Sequence, residues 1–146
     1  MPTTVGTEAD EKTMIGHLIN LEHDAIAAYE SVIDKLDNAS HKERVTAFKA
    51  DHDQQVAELR SIAAELGMEA SSNGDFKKLL TTGKIALANL GGDKAILRAM
   101  KTNEDDTVQA YQQARDNSAA RPEWRSFFEK ALADEERHRA WFASAE

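Results

Sequence analysis

The chain contains no cysteine, and that absence removes several chemistries at once. Disulfide staples, thiolate zinc sites, iron–sulfur clusters and cysteine nucleophiles are all excluded. Proline is scarce as well, with Pro2 and Pro122 the only two among 146 residues. So few helix breakers, beside 41% hydrophobic and 30% charged residues, suit long solvated helices and leave little room for a sheet. No apolar run approaches the roughly 20 residues needed to span a bilayer. The amino terminus, MPTTVGTEADEK, lacks a basic stretch followed by an apolar one, so no signal peptide is expected and the chain reads as a soluble cytoplasmic protein. Positive charge is also in deficit, with 18 Lys and Arg against 26 Asp and Glu, a net charge of −8. Such a surface is not expected to seek nucleic acid or an anionic membrane. A single domain over residues 1–146 is the natural division, and that length can bury a real core.

What the chain does have is a long-range pattern. Four segments repeat inward positions at alternating spacings of three and four, the mark of a helix with one face towards a core. The first stripe reads Ile15, Leu18, Glu22, Ala25, Tyr29, Val32 and Leu36; the second reads Val45, Phe48, His52, Gln55, Leu59, Ile62 and Leu66. The third is Leu97, Met100, Glu104, Thr107, Tyr111 and Ala114, and the fourth is Trp124, Phe128, Ala131, Glu135, His138 and Phe142. Each stripe is interrupted midway by side chains that bind metals. Glu22, His52, Gln55, Glu104, Glu135 and His138 are therefore expected to point inward, where an unpaired charge is very costly. In an antiparallel bundle these mid-helix positions meet at about one level. His17, His23 and His41 lie off the stripes and read as surface histidines.

The first helix is expected to begin between Thr7 and Asp10 and to end near Leu36, before the polar Asp37-Asn38 turn. The second has a capping box, Ser40 with Glu43, and a stop at Gly67. Asp93 reads as the N-cap of the third, which runs to about Arg115, and Pro122 suits the first turn of the fourth. Short connections make each pair an antiparallel hairpin. The segment from about Met68 to Gly92 is long enough to cross the bundle from end to end, and Asp75 can cap a short helix there through Phe76, Leu79, Leu80, Ile85, Ala86 and Leu90. The chain also repeats internally. Glu22-x-x-Ala25-Ile26-x-x-Tyr29 aligns with Glu104-x-x-Thr107-Val108-x-x-Tyr111, and Asp51-His52-x-x-Gln55 takes the place of Asp134-Glu135-x-x-His138. Two similar hairpins would be related by an approximate two-fold axis through the polar cluster.

A lone Glu-x-x-His is weak evidence, because charged helices produce it by chance. Here Glu135 and His138 share a helix face and lie opposite two inward glutamates from other helices. Di-iron carboxylate bundles combine one Glu from each of two helices with Glu-x-x-His from each of the other two. On these residues the sequence resembles the ferritin-like superfamily over nearly its whole length. The first helix is similar to that of bacterioferritins, with Glu22, Ala25, Ile26 and Tyr29 in matching places. The hairpin order, the long central connection and Glu135-x-x-His138 are similar too. The chain looks more like small bacterial members of this superfamily than like the storage ferritins.

The resemblance implies an all-α ferritin-like antiparallel four-helix bundle of two hairpins, with a crossover that contains a short helix. It implies Glu22 and Glu104 as terminal ligands, Glu135 as a bridging ligand and His138 as a terminal imidazole. The second helix departs from the pattern, with His52 and Gln55 where the family has Glu and His. A register one residue earlier would offer Asp51 and Gln54, which leave the stripe. Four carboxylates balance two divalent ions, and Glu22, Glu104 and Glu135 supply three. One ion is therefore expected through Glu104, Glu135 and His138, and a weaker second near Glu22 and His52, with Gln55 a weak ligand or a supporting group.

Two functions are consistent with these residues. One is a metal-binding protein, with iron favoured by mixed carboxylate and imidazole ligation and manganese or zinc as alternatives, in which ferrous iron meets oxygen or peroxide. The other is a non-catalytic helical module for assembly or stress response, either metal-free or with a structural metal. Without metal, the inward carboxylates are expected to repel one another and to have raised pKa values. Tyr29 and Tyr111 read as core residues with satisfied hydroxyls. Leu21, Ile33, Val56 and Ile62 flank the stripes and could support a homodimer, although a wide core-facing stripe explains them as well.

Overall fold

The Asp10 carboxylate accepts a hydrogen bond from the Thr13 backbone N–H at 2.8 Å and so starts the first helix within the expected window. The computed structural model describes residues 3–68 and 91–145. Its regular structure is α1 (Glu11–Lys35), α2 (Ala39–Glu65), α3 (Gly92–Asp116), a 3-10 turn (Pro122–Trp124) and α4 (Arg125–Ala145). No strand occurs among the described residues. None of the described helices is long and apolar enough to cross a membrane.

Two expected caps fall elsewhere. Asn38, not Ser40, caps α2 and accepts from the His41 N–H at 3.0 Å, so Ser40 lies inside the first turn. Asp93 does not cap α3, because the chain enters that helix through Gly91 and through Gly92 at a φ of +76°. Its carboxylate instead accepts from the Asp37 and Asn38 N–H groups, at 2.9 Å each. The expected stop at Gly67 is present: φ is +70°, and the N–H groups of Gly67 and Met68 return to the carbonyls of Ala64 and Ala63. Pro122 opens the 3-10 turn that leads into α4, where its missing N–H costs nothing.

These contacts also set the topology. The Asp93 bonds place the start of α3 beside the α1–α2 turn. At the far end, the Asn117 side chain donates to the Gly6 and Glu8 carbonyls, at 2.8 and 2.7 Å. Thus α1 and α3 run antiparallel, as do α1 and α2, and α3 and α4. Gln55 meeting Asp134 and Phe48 meeting Phe142 make α2 and α4 antiparallel as well. The end of α2 and the start of α3 lie at opposite ends of this four-helix bundle. The short helix expected between Asp75 and Leu90 falls outside the described residues.

Every residue of the four sequence stripes is buried. They form two apolar blocks with a polar layer between. One block holds Leu18, Leu59, Tyr111, Trp124 and Phe128; the other holds Tyr29, Val32, Phe48, Met100 and Phe142. A fully buried large apolar side chain contributes about 1.5–3 kcal/mol. Such layers offset the cost of the polar one between them. Of the four flanking positions, Val56 and Ile62 are buried and Leu21 and Ile33 are partly buried against the same core, so the single chain already covers them.

Candidate metal centre

Glu22 of α1, His52 and Gln55 of α2, Glu104 and Thr107 of α3, and Glu135 and His138 of α4 make up the polar layer. All seven are 3% exposed or less, as the alternating stripes require. The tyrosines two turns after the glutamates of the internal repeat reach into the layer from opposite sides. The Tyr29 hydroxyl donates to Glu104 Oε1, and the Tyr111 hydroxyl donates to Glu22 Oε1 at 3.0 Å. Each hairpin therefore steadies the other's glutamate. Burial and the neighbouring carboxylates push both phenols well above 10, which keeps them neutral donors. Thr107 Oγ1 donates within its own helix to Glu104 and lies 3.3 Å from Glu135 Oε2.

Both imidazoles are oriented by a carboxylate that stands outside the cluster. His52 Nδ1 lies 3.1 Å from Glu22 Oε2, which leaves Nε2 facing Glu104 Oε1 at 3.4 Å and Glu135 Oε2 at 3.3 Å. His138 Nε2 lies 2.8 Å from Asp51 Oδ2, which leaves Nδ1 facing Glu135 Oε2 at 3.4 Å and Glu104 Oε2 at 3.8 Å. A carboxylate on one ring nitrogen fixes the tautomer and raises the basicity of the other, an arrangement common behind metal-bound histidines. Asp51 is itself held by Arg137 at 3.0 Å.

The charges balance in a way the stripes alone do not show. Burial opposes charge on His52, but the carboxylates of Glu135 and Glu22 and the close approach of Glu104 outweigh it and hold the imidazole well above 6.5. At His138 burial is again outweighed, here by Glu104 and Glu135, and the pKa rises to about 9. Burial and the charge of Glu104 lift Glu135 to about 7, against the pull of His52 and His138. Glu104 goes the other way. Burial would raise it, yet the nearby Glu135 carboxyl and the His138 and His52 imidazoles take it well below 4.5. The expected general repulsion among carboxylates is thus replaced at Glu104 by attraction to two imidazoles.

Four buried polar atoms in or beside this layer have no hydrogen-bond partner: His52 Nε2, His138 Nδ1, Glu135 Oε1 and Gln55 Oε1. Such atoms are rare in folded proteins and are met by a buried water, an ion or another bound group. One donor atom each from His52, Glu104, Glu135 and His138 lies within 4.8 Å of the others. Bonds of ~2.0–2.2 Å to nitrogen and oxygen place neighbouring donors of a tetrahedron ~3.3–3.6 Å apart. Three of the four imidazole–carboxylate separations, 3.3, 3.4 and 3.4 Å, come near that spacing and the fourth is 3.8 Å, with Glu104 facing His52 through Oε1 and His138 through Oε2. Two carboxylates would neutralise one divalent ion. The donors therefore fit a metal in number, spacing and charge.

Of the residues singled out from the sequence, His52, Glu104, Glu135 and His138 come together in one cluster. Glu22 stands behind His52, and the Gln55 amide N–H reaches Asp134 at 3.4 Å instead of the cluster. Asp51 is the residue the pattern passed over: it lies off the stripe, and its contact with His138 crosses between helices, where no periodicity marks it. The off-stripe His17 and His23 pair with Glu8 and Arg60 and take no part.

Residues 10–117 match a protein family described as a domain of unknown function, DUF2383. The chain belongs to that family. The match spans α1 to α3, and with them Glu22, His52 and Glu104, and it ends before Glu135 and His138 on α4. No curated protein and no solved structure matches the chain significantly.

Proposed function

We propose that this DUF2383 protein is a ferritin-like metal-binding protein that holds one divalent ion, iron before manganese or zinc, between His52, Glu104, Glu135 and His138. The unpartnered, converging donor atoms carry this reading, since a cation satisfies buried nitrogen and oxygen atoms that have no partner in the chain. Mixed imidazole and carboxylate ligation suits ferrous iron. The repeated hairpins, the start of α3 at the opposite end of the bundle from the end of α2, and the swapped tyrosines support the ferritin-like relationship.

Ferrous iron is the proposed substrate, and oxygen or peroxide the oxidant. Two ferrous ions oxidised in turn give the two electrons that, with two protons, convert one peroxide to two waters. Within the chain, Glu22 and Asp51 hold the imidazoles in their tautomers, Tyr29 anchors Glu104, and the rings of Phe48 and Tyr29 beside the histidines limit water. Glu135, with its pKa near 7, is placed to release a proton as a cation arrives.

One observation favours the metal-free alternative, a helical module without turnover. With both imidazoles charged and Glu135 protonated, the layer is close to electrically balanced on its own. Elemental analysis of protein purified without an affinity tag, followed by anaerobic ferrous titration, separates the two. Saturation near one ion per chain, with loss of the ferrous state on adding oxygen or peroxide, is the expected result. No binding of any divalent ion would leave the metal-free module.

A further inference from the structure

The polar layer is closed above and below by the two apolar blocks, and its sides are not equal. The helices of each hairpin pack tightly, whereas α2 and α4 make the least close of the lateral contacts. Among the described residues, two polar cross-links bridge α2 and α4 on that side, beside the Phe48 ring that packs on His138 and Phe142. Asp51 with His138 is short, 2.8 Å, and braced by Arg137. The Gln55 N–H to Asp134 bond is long, 3.4 Å, and weak for that reason. Outside it lies a groove of about 650 Å³ between α2 and α4, walled by Gln54, Glu58, Glu123, Lys130 and Asp134, with Gln55 at its inner end. Asp134 is paired with Lys130 at 3.6 Å and with Arg137 at 3.0 Å, which leaves Glu58 and Glu123 to favour a cation there.

Gln55 is the informative residue. It is 97% buried, one helical turn from His52, and bonded to the neighbour of Glu135, yet its Oε1 has no partner. A buried amide oxygen without a donor is costly for a structure to keep. It is also a hard ligand for a passing divalent cation.

We propose that the α2–α4 groove is the path by which a divalent cation reaches the buried cluster, and that Gln55 is its gate. The proposal rests on the metal-centre reading above. Swinging the Gln55 side chain breaks only its long bond to Asp134 and offers Oε1 to a cation drawn in by Glu58 and Glu123. The ion then passes one helical turn inward to His52 and Glu135. Gln55 lets the ion through without holding it at equilibrium.

A gate alters the rates of binding and release together and leaves the equilibrium alone, whereas a ligand alters mainly release. Stopped-flow mixing of cobalt(II) with the metal-stripped full-length protein distinguishes these cases. Ala57→Trp and Ser126→Trp start from exposed positions in the groove and fill it without touching the cluster. Each is expected to slow association and dissociation at least tenfold with Kd unchanged. Ala47→Trp, exposed near the other end of α2, is the control and should leave both rates as they are. Gln55→Ala should speed both, with Kd held within threefold. Unchanged rates in both groove-filling variants would overturn the path. A Gln55→Ala protein that loses affinity through faster release alone would make Gln55 a ligand and overturn the gate. If the unmodified protein binds no cobalt, the metal-centre reading itself fails, which is a separate result.

Discussion

Glu22 and Glu104 occupy equivalent places in the two hairpins and each accepts from the other hairpin's tyrosine, yet they meet different neighbours. Glu104 faces two imidazoles and Glu135; Glu22 faces the back of one imidazole. The difference begins one helix further on. Where α4 has Glu135 and His138, α2 has His52 and Gln55. An imidazole carries two nitrogens that point in different directions from its ring. His52 therefore spans the space between Glu22 and the Glu104–Glu135 pair, with Nδ1 on one and Nε2 on the other two. In the metal-centre reading, replacing one carboxylate by imidazole turns a two-ion framework into a one-ion centre. The glutamate left over becomes a support for the new ligand, and Asp51 supports His138 in the same way.

The comparison breaks hardest at Glu104. Glu104→Ala should abolish most of the stabilisation that ferrous or manganous ion gives the native protein. At a hundredfold excess over Kd that is about 2.7 kcal/mol, or roughly 5–10 °C of melting temperature for a domain of this size. Thermal unfolding with and without metal reads it directly; an equal metal-induced rise in both proteins would remove Glu104 from the centre. Making the hairpins alike tests the comparison from the other side. His52→Glu with Gln55→His gives α2 the pair that α4 carries, and binding should rise from one ion per chain to two by titration. If stoichiometry stays at one, the asymmetry lies elsewhere than in these two side chains.

The supporting carboxylates should matter less than the donors. Asp51→Asn and Glu22→Gln are each expected to weaken metal binding about 10–100-fold while leaving one ion per chain. Competition with a chromophoric chelator measures this, and a full loss in Glu22→Gln would promote Glu22 to a ligand. The smallest effect is on pH dependence without metal. His138 has its pKa raised from 6.5 to about 9, so its contribution is complete below 6.5 and disappears as pH rises through 9. Glu135, raised from 4.5 to about 7, contributes fully below 4.5 and loses its contribution through 7. Glu104, held low, contributes above 4.5 and loses its share in stronger acid. The metal-free protein should thus be most stable near pH 4.5 and weaken as pH rises through 7 and on towards 9. Metal-loaded protein should show the reverse slope between pH 5 and 7, because protons compete for the ligands. Denaturant unfolding across this range checks both, and parallel profiles would contradict a shared metal.

The inward faces were legible because burial follows helical period, and a Glu or His at a stripe position has nowhere else to point. Caps were legible where they are local, as at Asp10 and Gly67. They were not at Asp93, whose carboxylate is taken by the turn between α1 and α2, 55 residues away in sequence. Asn38 displaced Ser40 for a related reason: the tight turn already places an Asn side chain over the first helical N–H groups. In the cluster, residue identity did not reveal which way each ring would face. The choice of His52 Nε2 for the cluster depends on Glu22 of α1, and that of His138 Nδ1 on Asp51 of α2. Such choices are made between helices and leave no trace in the spacing along one.

The number of imidazoles on the bound ion tests the central claim most directly. X-ray absorption of the cobalt(II)- or ferrous-loaded protein, at a measured metal content, reports nitrogen and oxygen ligands and the outer-shell scattering of imidazole rings. One ion per chain with two imidazoles, falling to one imidazole in His52→Ala, is the result expected of a centre in which the two hairpins contribute unequally. Two ions per chain, or a single ion with one imidazole that His52→Ala leaves unaltered, would contradict it.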